Sequence, residues 1–350
     1  MRRLPIYFLI DISESMVGEP IQQVEEGLAT IIQALKSDPH ALETVFVSII
    51  VFAGQAKTLV PLQEIVSFYP PKFPIGSGTS LGKGLGHLMH ELRSNIIKTS
   101  YEVKGDWKPI VFLFTDGVPT DDCKKAIEEW KHSWKNAANL VAISFGNDVD
   151  TSILGALTDN VLNFENTNIQ SYKEFFKWVT DSIRTSSISV ESNSSGFELV
   201  KIESDTLSKI DLKKVDRGRQ WVDDNFVVLN GKCQNTKSPY LMKYRKTLSP
   251  TRYADMELTA RTYRLVGAYQ VDNSYFELAD TSNTNNSVNT GELVGGPNCP
   301  CCGNQVAFAV CSCGKIHCIG EEELSLCPWC GNQGVYGNGG AGFDVNRTQG

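Results

Sequence analysis

The sequence predicts an α/β protein with a doubly wound, mostly parallel six-stranded sheet, followed by a β-rich C-terminal domain. Three observations carry that expectation. The first half alternates short apolar runs with amphipathic segments of helical period. Those apolar runs are continuous rather than alternating, as in strands covered on both faces. The second half loses the helical period and ends in eight closely spaced cysteines between Cys299 and Cys330.

Residues 4–10 read as the first strand, and Ile21, Val24, Leu28, Ile31, Ile32 and Leu35 recur at helical spacing after Pro20, which suits a first helical turn. Residues 44–52 form a strong central strand. The Gly54-Gln55 break and the run 58–62 suggest a hairpin whose Pro61 suits an edge. Residues 81–97 read as a helix with Leu85, Leu88, Met89 and Leu92 on its apolar side. Strand 110–114, helix 124–134, strand 140–145, a short helix at 153–157, strand 161–164 and a closing helix at 172–183 complete the alternation. Serine-rich stretches at 185–187 and 192–196 mark a boundary, so the first domain spans residues 1–186. Residues 187–292 form a linker and β-rich segment with strands expected at 220–229, 263–269 and 275–278, and a polar loop at 281–290. Residues 293–333 form the cysteine module, and 334–350 a flexible Gly/Asn-rich tail.

The chain has 350 residues, 41% hydrophobic and 21% charged, with a formal net charge of −7, which gives no global reason to expect nucleic acid. No apolar run approaches the ~20 residues of a membrane span. Met1-Arg2-Arg3 is basic, but the apolar run behind it stops at Asp11 and has no small-residue cleavage site, so it reads as a first strand and the protein as cytoplasmic. Clustered cysteines without an export signal favour metal thiolates over disulfides.

Three motifs fall at the carboxyl edge of the expected sheet, where loops of α/β folds bind ligands. Asp11-Ile12-Ser13-Glu14-Ser15 ends the first strand, and its small oxygen-bearing side chains can converge on a hard cation or simply cap a turn. Gly76-Ser77-Gly78-Thr79-Ser80 offers a threonine before a helix, and Thr115-Asp116-Gly117 an aspartate at a strand end. Together they resemble the metal-ion-dependent adhesion site (MIDAS) of von Willebrand factor type A (VWA) domains, whose fold is Rossmann-like. The resemblance implies that Ser13, Ser15 and Thr79 bind Mg²⁺ (or Mn²⁺ or Ca²⁺) directly. Asp11 and Asp116 act directly or through water, and a partner's acidic residue completes the shell. Hydrolysis would need a general base. His40, His87, His90 and His132 lie in no motif, and Glu14 is expected to point away, so no catalytic residue is assigned. Gly82-Lys83-Gly84 lacks the glycine and the Lys-Ser/Thr ending of a phosphate loop.

Cys299-Pro300-Cys301-Cys302-Gly303 and Cys327-Pro328-Trp329-Cys330-Gly331 share the C-P-x-C-G pattern of zinc-ribbon knuckles. Cys299, Cys302, Cys327 and Cys330 could hold one Zn²⁺, and Cys311, Cys313, Cys318 and His317 a second, although cross-paired sharing fits the sequence equally. Cys301 reads as a non-ligand, Cys123 and Cys233 as isolated buried thiols. The metal's role is expected to be folding, since this segment has few aliphatic residues. Few basic residues accompany the knuckles, which argues against nucleic acid; Trp329 is a packing residue or a peptide contact.

A VWA domain, a β-rich segment and a C-terminal cysteine cluster in this order are similar to the bacterial TerY family, whose tail is the TerY-C metal-binding domain. The resemblance implies a non-enzymatic interaction scaffold in a tellurium-resistance or stress-response system, beside a protein kinase and a PP2C-type phosphatase. An alternative is a VWA regulatory subunit of a MoxR- or chelatase-type AAA+ ATPase.

Overall fold

The structure is a computed structural model that describes residues 2–116, 119–145, 151–164, 169–191, 207–209, 225–253, 256–279, 286–337 and 342–348. The chain forms two compact units: residues 1–12, 19–73 and 79–219 in the first, and 13–18, 74–78 and 220–350 in the second.

The first unit runs β1 (Leu4–Asp11), α1 (Glu19–Lys36), α2 (Pro39–Thr44), β2 (Val45–Phe52), β3 (Ala56–Glu64), α3 (Leu81–Asn95), β4 (Ile110–Thr115), α4 (Lys124–Ser133), β5 (Asn139–Phe145), α5 (Thr151–Leu157), β6 (Val161–Phe164), α6 (Ile169–Glu191) and β7 (Leu207–Lys209). The sheet order is β3-β2-β1-β4-β5-β6-β7. The inner pairs are parallel, as continuous apolar strands require, and β1 is buried at all eight positions. The half-buried β3 runs antiparallel to β2 at the edge, where Pro61 needs no ladder hydrogen bond.

The expected six strands are present, and a seventh, β7, joins β6 antiparallel at the other edge. It is three residues long, too short for a periodic signal. Helix α2 was also invisible to periodicity; Asp38 caps it through the Ala41 amide at 3.1 Å and Pro39 opens it. The boundary expected at 185–187 lies inside α6, because the Ser186 hydroxyl bonds the Ser182 carbonyl at 2.8 Å and so fits a helix.

One face of the sheet packs Tyr7, Leu9, Ile50 and Leu113 against Leu85, Leu88 and Met89 of α3, Trp130 of α4 and Leu157 of α5. On the other face Phe8 lies 5.6 Å from Phe112 and 6.2 Å from Phe114, which meets Phe176 of α6 at 6.5 Å. Helices α1 and α6 approach closely there: a Cβ on Gly27 would lie 1.9 Å from the Phe176 ring.

The second unit contains β8 (Phe226–Lys232), β9 (Pro239–Tyr253), β10 (Met256–Gln270), α7 (Ser274–Glu277), β11 (Ser287–Asn289), β12 (Leu293–Val294), β13 (Val306–Val310), β14 (Ile316–Ile319), β15 (Ser325–Leu326), β16 (Gln333–Gly334) and β17 (Asp344–Asn346). A six-stranded sheet has the order β12-β10-β9-β8-β14-β13. The β-rich segment and the cysteine hairpin β13–β14 therefore share one sheet, so the division expected at residue 293 does not appear in it. Of residues 275–278, expected as a strand, 275–277 fall in α7 and Leu278 caps it; α7 starts where Asp272 accepts the Ser274 amide at 2.7 Å. The tail expected to be flexible carries β17, paired with β11, and Arg347 Nη2 donates to the Phe226 carbonyl at 2.6 Å. Expectations at Gly117, 192–196, 220–224 and 281–285 lie outside the described residues. Among the described residues, no helix is long and apolar enough to cross a membrane.

Gly27→Ala must push the buried Phe176 ring off α1. We expect a loss of about 1–3 kcal/mol, read as a lowered denaturant midpoint, and no loss of bound metal.

Candidate metal centres

In the first unit, the carboxyl ends of β1 and β4 carry Asp11 and Asp116. Asp11 is fully buried and its Oδ2 accepts the Thr115 hydroxyl at 2.6 Å; Asp116 is half-buried. Thr79 precedes α3 and is fixed by a reciprocal pair of bonds with Thr120: its amide donates to Thr120 Oγ1, and the Thr120 amide to its carbonyl, both at 2.9 Å. Asp121 accepts the Gly82 and Lys83 amides at 3.2 Å and so satisfies the start of α3. The Thr79 Oγ1 is buried and has no hydrogen-bond partner among the described residues. The neighbouring Ser80 Oγ is in the same state, and a buried hydroxyl without a protein partner calls for a water or an ion to satisfy it.

In the second unit, Ser13 and Ser15 are buried with their hydroxyls 2.9 Å apart on a short 3-10 turn, Glu14–Met16. Between them, Glu14 is fully buried, and it does not point into solvent as a free base would. Its Oε2 accepts the Gly78 amide at 3.1 Å, and its Oε1 the Tyr275 hydroxyl at 2.6 Å. Burial first, then the Glu14 charge, pushes the Tyr275 phenol well above its ordinary pKa, so it stays protonated and donates.

The cysteines gather into two sets of four: Cys233, Cys299, Cys302 and Cys318, and Cys311, Cys313, Cys327 and Cys330. The sulfurs of Cys302 and Cys318 are 3.8 Å apart, Cys233 and Cys318 3.8 Å, Cys311 and Cys330 3.6 Å, and Cys313 and Cys327 3.9 Å. Four sulfurs on a tetrahedral zinc with bonds of ~2.3 Å sit about 3.8 Å apart. Both clusters fit zinc. The first direct assignment, Cys299 and Cys302 with Cys327 and Cys330, is corrected: the two knuckles serve different clusters. Cys299 and Cys302 lie at the base of the β13–β14 hairpin, and Cys311 and Cys313 at its tip. The five residues of β13 span about 16 Å, far more than one ion can bridge. Cys318, on the returning strand, comes back to the base. The parallel pairing of β14 with β8, which sets His317 opposite Lys232, brings Cys233 beside it.

His317 joins neither cluster. A carbonyl only accepts, so Nδ1 holds the proton it donates to the Cys318 oxygen at 2.9 Å, and Nε2 accepts the Tyr336 hydroxyl at 2.7 Å. Burial lowers its pKa and keeps the ring neutral, with both nitrogens engaged. Cys301 stays outside both clusters. Gly303 and Gly331 close the knuckles at φ 80 and 77, which side chains resist. Each cluster contains one thiol poised as a thiolate. Burial pushes Cys233 up, but hydrogen bonds led by Thr236 win and hold it at about 6; the Cys313 amide holds Cys311 at about 6.

Two family profiles match the chain: the von Willebrand factor type A domain over residues 6–178, and the TerY-C metal binding domain over residues 223–350. The protein is a VWA domain joined to a TerY-C domain. No similar protein was found among curated sequences. Among solved structures, proximal thread matrix protein 1 from the mussel byssus is 20% identical, with 51% of this chain and 48% of that chain covered and a TM-score of 0.38. The ArnB paralog VWA2 from Sulfolobus acidocaldarius is 12% identical over 78% of this chain and 66% of that one, at a TM-score of 0.39. A von Willebrand factor type A protein from Catenulispora acidiphila is 13% identical over 82% and 61%, also at 0.39. The chain spans about half the length of the mussel protein.

In this VWA–TerY-C protein, sequence reasoning missed Cys233, Thr115, Thr120 and Tyr275. The one available signal for Cys233 was its place just after the apolar run of β8, where a turn must follow. Cadmium-113 substituted for the native metal should give two tetrathiolate resonances. One should correlate with the β-protons of Cys233, Cys299, Cys302 and Cys318, the other with those of Cys311, Cys313, Cys327 and Cys330. A single ion correlated with both knuckles would contradict this partition.

Proposed function

We propose that this VWA–TerY-C protein is a non-enzymatic scaffold that captures a partner protein through a divalent cation. Ser13, Ser15 and Thr79 would hold the ion directly, and Asp11 and Asp116 directly or through its waters. The observation that carries this reading is the Thr79 hydroxyl, buried at the start of α3 with no bond among the described residues. Leaving such a group unsatisfied costs about 1–3 kcal/mol, and an ion would remove that cost. Hydroxyl and carboxylate oxygens with few formal charges favour Mg²⁺ or Mn²⁺ over a calcium cage. When bound, the ion supplies a Lewis-acidic seat for a carboxylate.

Ser13, Ser15 and Thr79 are buried to 1% exposure or less, and Asp116 is half-buried. Two of the groups considered as bases are engaged: Glu14 is bonded on both oxygens, and His87 Nε2 lies 2.7 Å from the Thr58 hydroxyl. That supports capture over hydrolysis.

In the TerY-C domain each cysteine cluster would take one Zn²⁺ as a folding staple, leaving the outer face of the domain as a second docking surface. The TerY resemblance points to a cytoplasmic tellurium-resistance or stress-response system. The partners it implies are a protein kinase and a PP2C-type phosphatase.

The test compares affinity capture from lysate in magnesium buffer by wild type and Thr79→Ala. The variant should keep its fold and zinc content and lose most of the kinase or phosphatase that wild type holds. Chelation is the wrong control, because it would strip the thiolate clusters. Equal capture by both proteins would overturn the reading, and metal-dependent capture of an AAA+ ATPase would replace it with a regulatory-subunit role.

A further inference from the structure

The turn that carries Ser13 and Ser15 is gripped at three points by residues from 243 to 275, all within the second unit. First, the Glu14 carboxylate is tied to Tyr275 on one oxygen and to Gly78, next to Thr79, on the other. Second, the Lys243 ammonium, buried to 4% exposure, donates to the Ser15 carbonyl and, at 3.4 Å, to the Val17 carbonyl. The Phe226 ring lies 4.6 Å from that ammonium, so the charge is sheltered by an aromatic face while it donates to two carbonyls of the turn. Third, Gly18 turns at φ 91 under the Tyr269 ring, where a Cβ would come within 2.7 Å. Glu14 stands between the two serines in sequence, and Ser15 is pinned through its own backbone. Side chains more than two hundred residues away thus hold the backbone and the carboxylate of the turn that carries both hydroxyls.

We propose that Tyr275 and Lys243 are positioning residues that clamp the serine turn and thereby set the affinity of Ser13 and Ser15 for a divalent cation. The inference rests on the reading that these serines hold such an ion. It assigns to TerY-C residues a role beyond their own thiolate clusters: metal capture at the serines requires the clamp to be in place. The physical reason is preorganisation. Two hydroxyls already held 2.9 Å apart lose little freedom when an ion arrives, whereas a loose turn must be ordered at the moment of binding. Without the Tyr275 hydroxyl, one oxygen of a buried carboxylate loses the donor seen on it, and the turn gains a reason to rearrange toward water.

The test uses the full chain with Tyr275→Phe, which removes one oxygen atom, and Lys243→Met, which keeps the stem and removes the charge. Hydrogen exchange over residues 13–18 reads the clamp without any added metal, and manganese(II) titration followed by electron paramagnetic resonance reads the site. Zinc content and thermal midpoint report on folding. Each variant should speed exchange over 13–18 and weaken manganese binding about tenfold, the scale set by one unsatisfied buried polar group, at unchanged zinc content. Unchanged exchange in both variants would overturn the clamp. Faster exchange with manganese affinity equal to wild type would overturn its link to the site. If wild type itself takes up no manganese, the metal reading of the serines falls, while exchange still decides whether the turn is clamped.

Discussion

A fully buried carboxylate must be met by donors or it will not stay charged and buried. Glu14 is such a group, and its needs organise the region around it. The Gly78 amide and the Tyr275 hydroxyl satisfy it, which ties the serine turn to the glycine-rich loop ahead of Thr79. The intervening residue of an Asp-x-Ser-x-Ser turn is easily taken for filler. Here it has the opposite role: Ser13 and Ser15 can only be as well placed as Glu14 is. Asp11 shows the same logic on the other side of the turn, where a buried carboxylate is met by the Thr115 hydroxyl. Carboxylates and hydroxyls at the end of a parallel sheet are costly unless each has a partner. Thr79 Oγ1 and the adjacent Ser80 Oγ are buried hydroxyls with none among the described residues.

Much of the fold was legible because it depends on burial, and burial writes itself into sequence as period. β1, β2, β4 and β5 are continuous apolar runs, and α1 and α3 bury the residues that recur at helical spacing. What escaped was what period does not encode. α2 and β7 are too short to repeat. α7 looked like a strand from its aromatic residues, yet Asp272 starts a helical turn there. β9 mixes an apolar start with a run of charged and polar residues that has no steady period, and its pairing with β8 and β10 makes it a strand. The tail reads as Gly/Asn-rich coil, but Asp344–Asn346 needs only β11 as an edge to join.

The same distinction separates the two kinds of site. The Asp-x-Ser-x-Ser turn, Thr79 and Asp116 could be picked out because each falls at a strand end or before a helix, where the fold presents ligands. The cysteine pattern announced metal, but not which thiol goes with which. Connectivity depends on the length of β13, which sets the hairpin's tip and base apart, and on β14 lying beside β8. Neither can be seen in the spacing of the knuckles. Tyr275 and Lys243 left no signal at all: a tyrosine and a lysine in a β-rich segment have no pattern that marks them as buried partners of a turn near residue 14.

The two thiolate clusters are also unequal, and the reason is where they sit rather than what they contain. Linking Cys233 to Cys318 closes a loop of 85 residues, and linking Cys311 to Cys330 one of 19. By chain entropy alone the difference is only about 1 kcal/mol, too little to set the clusters apart. Burial does more. Cys233, Cys299 and Cys318 belong to the same apolar cluster as Val227, Tyr240, Met242 and Ile316, whereas Cys313 and Cys330 are exposed. An ion in the first cluster would therefore sit in the core of the sheet, and losing it would leave buried thiols facing one another beside Val227, Tyr240 and Met242. An ion in the second ties a hairpin tip to a surface knuckle, so its loss would loosen that end and leave the six-stranded sheet standing. By burial alone, the first cluster is the one a folding role would suit, and the second is the one that solvent, oxidants or a competing metal would reach first.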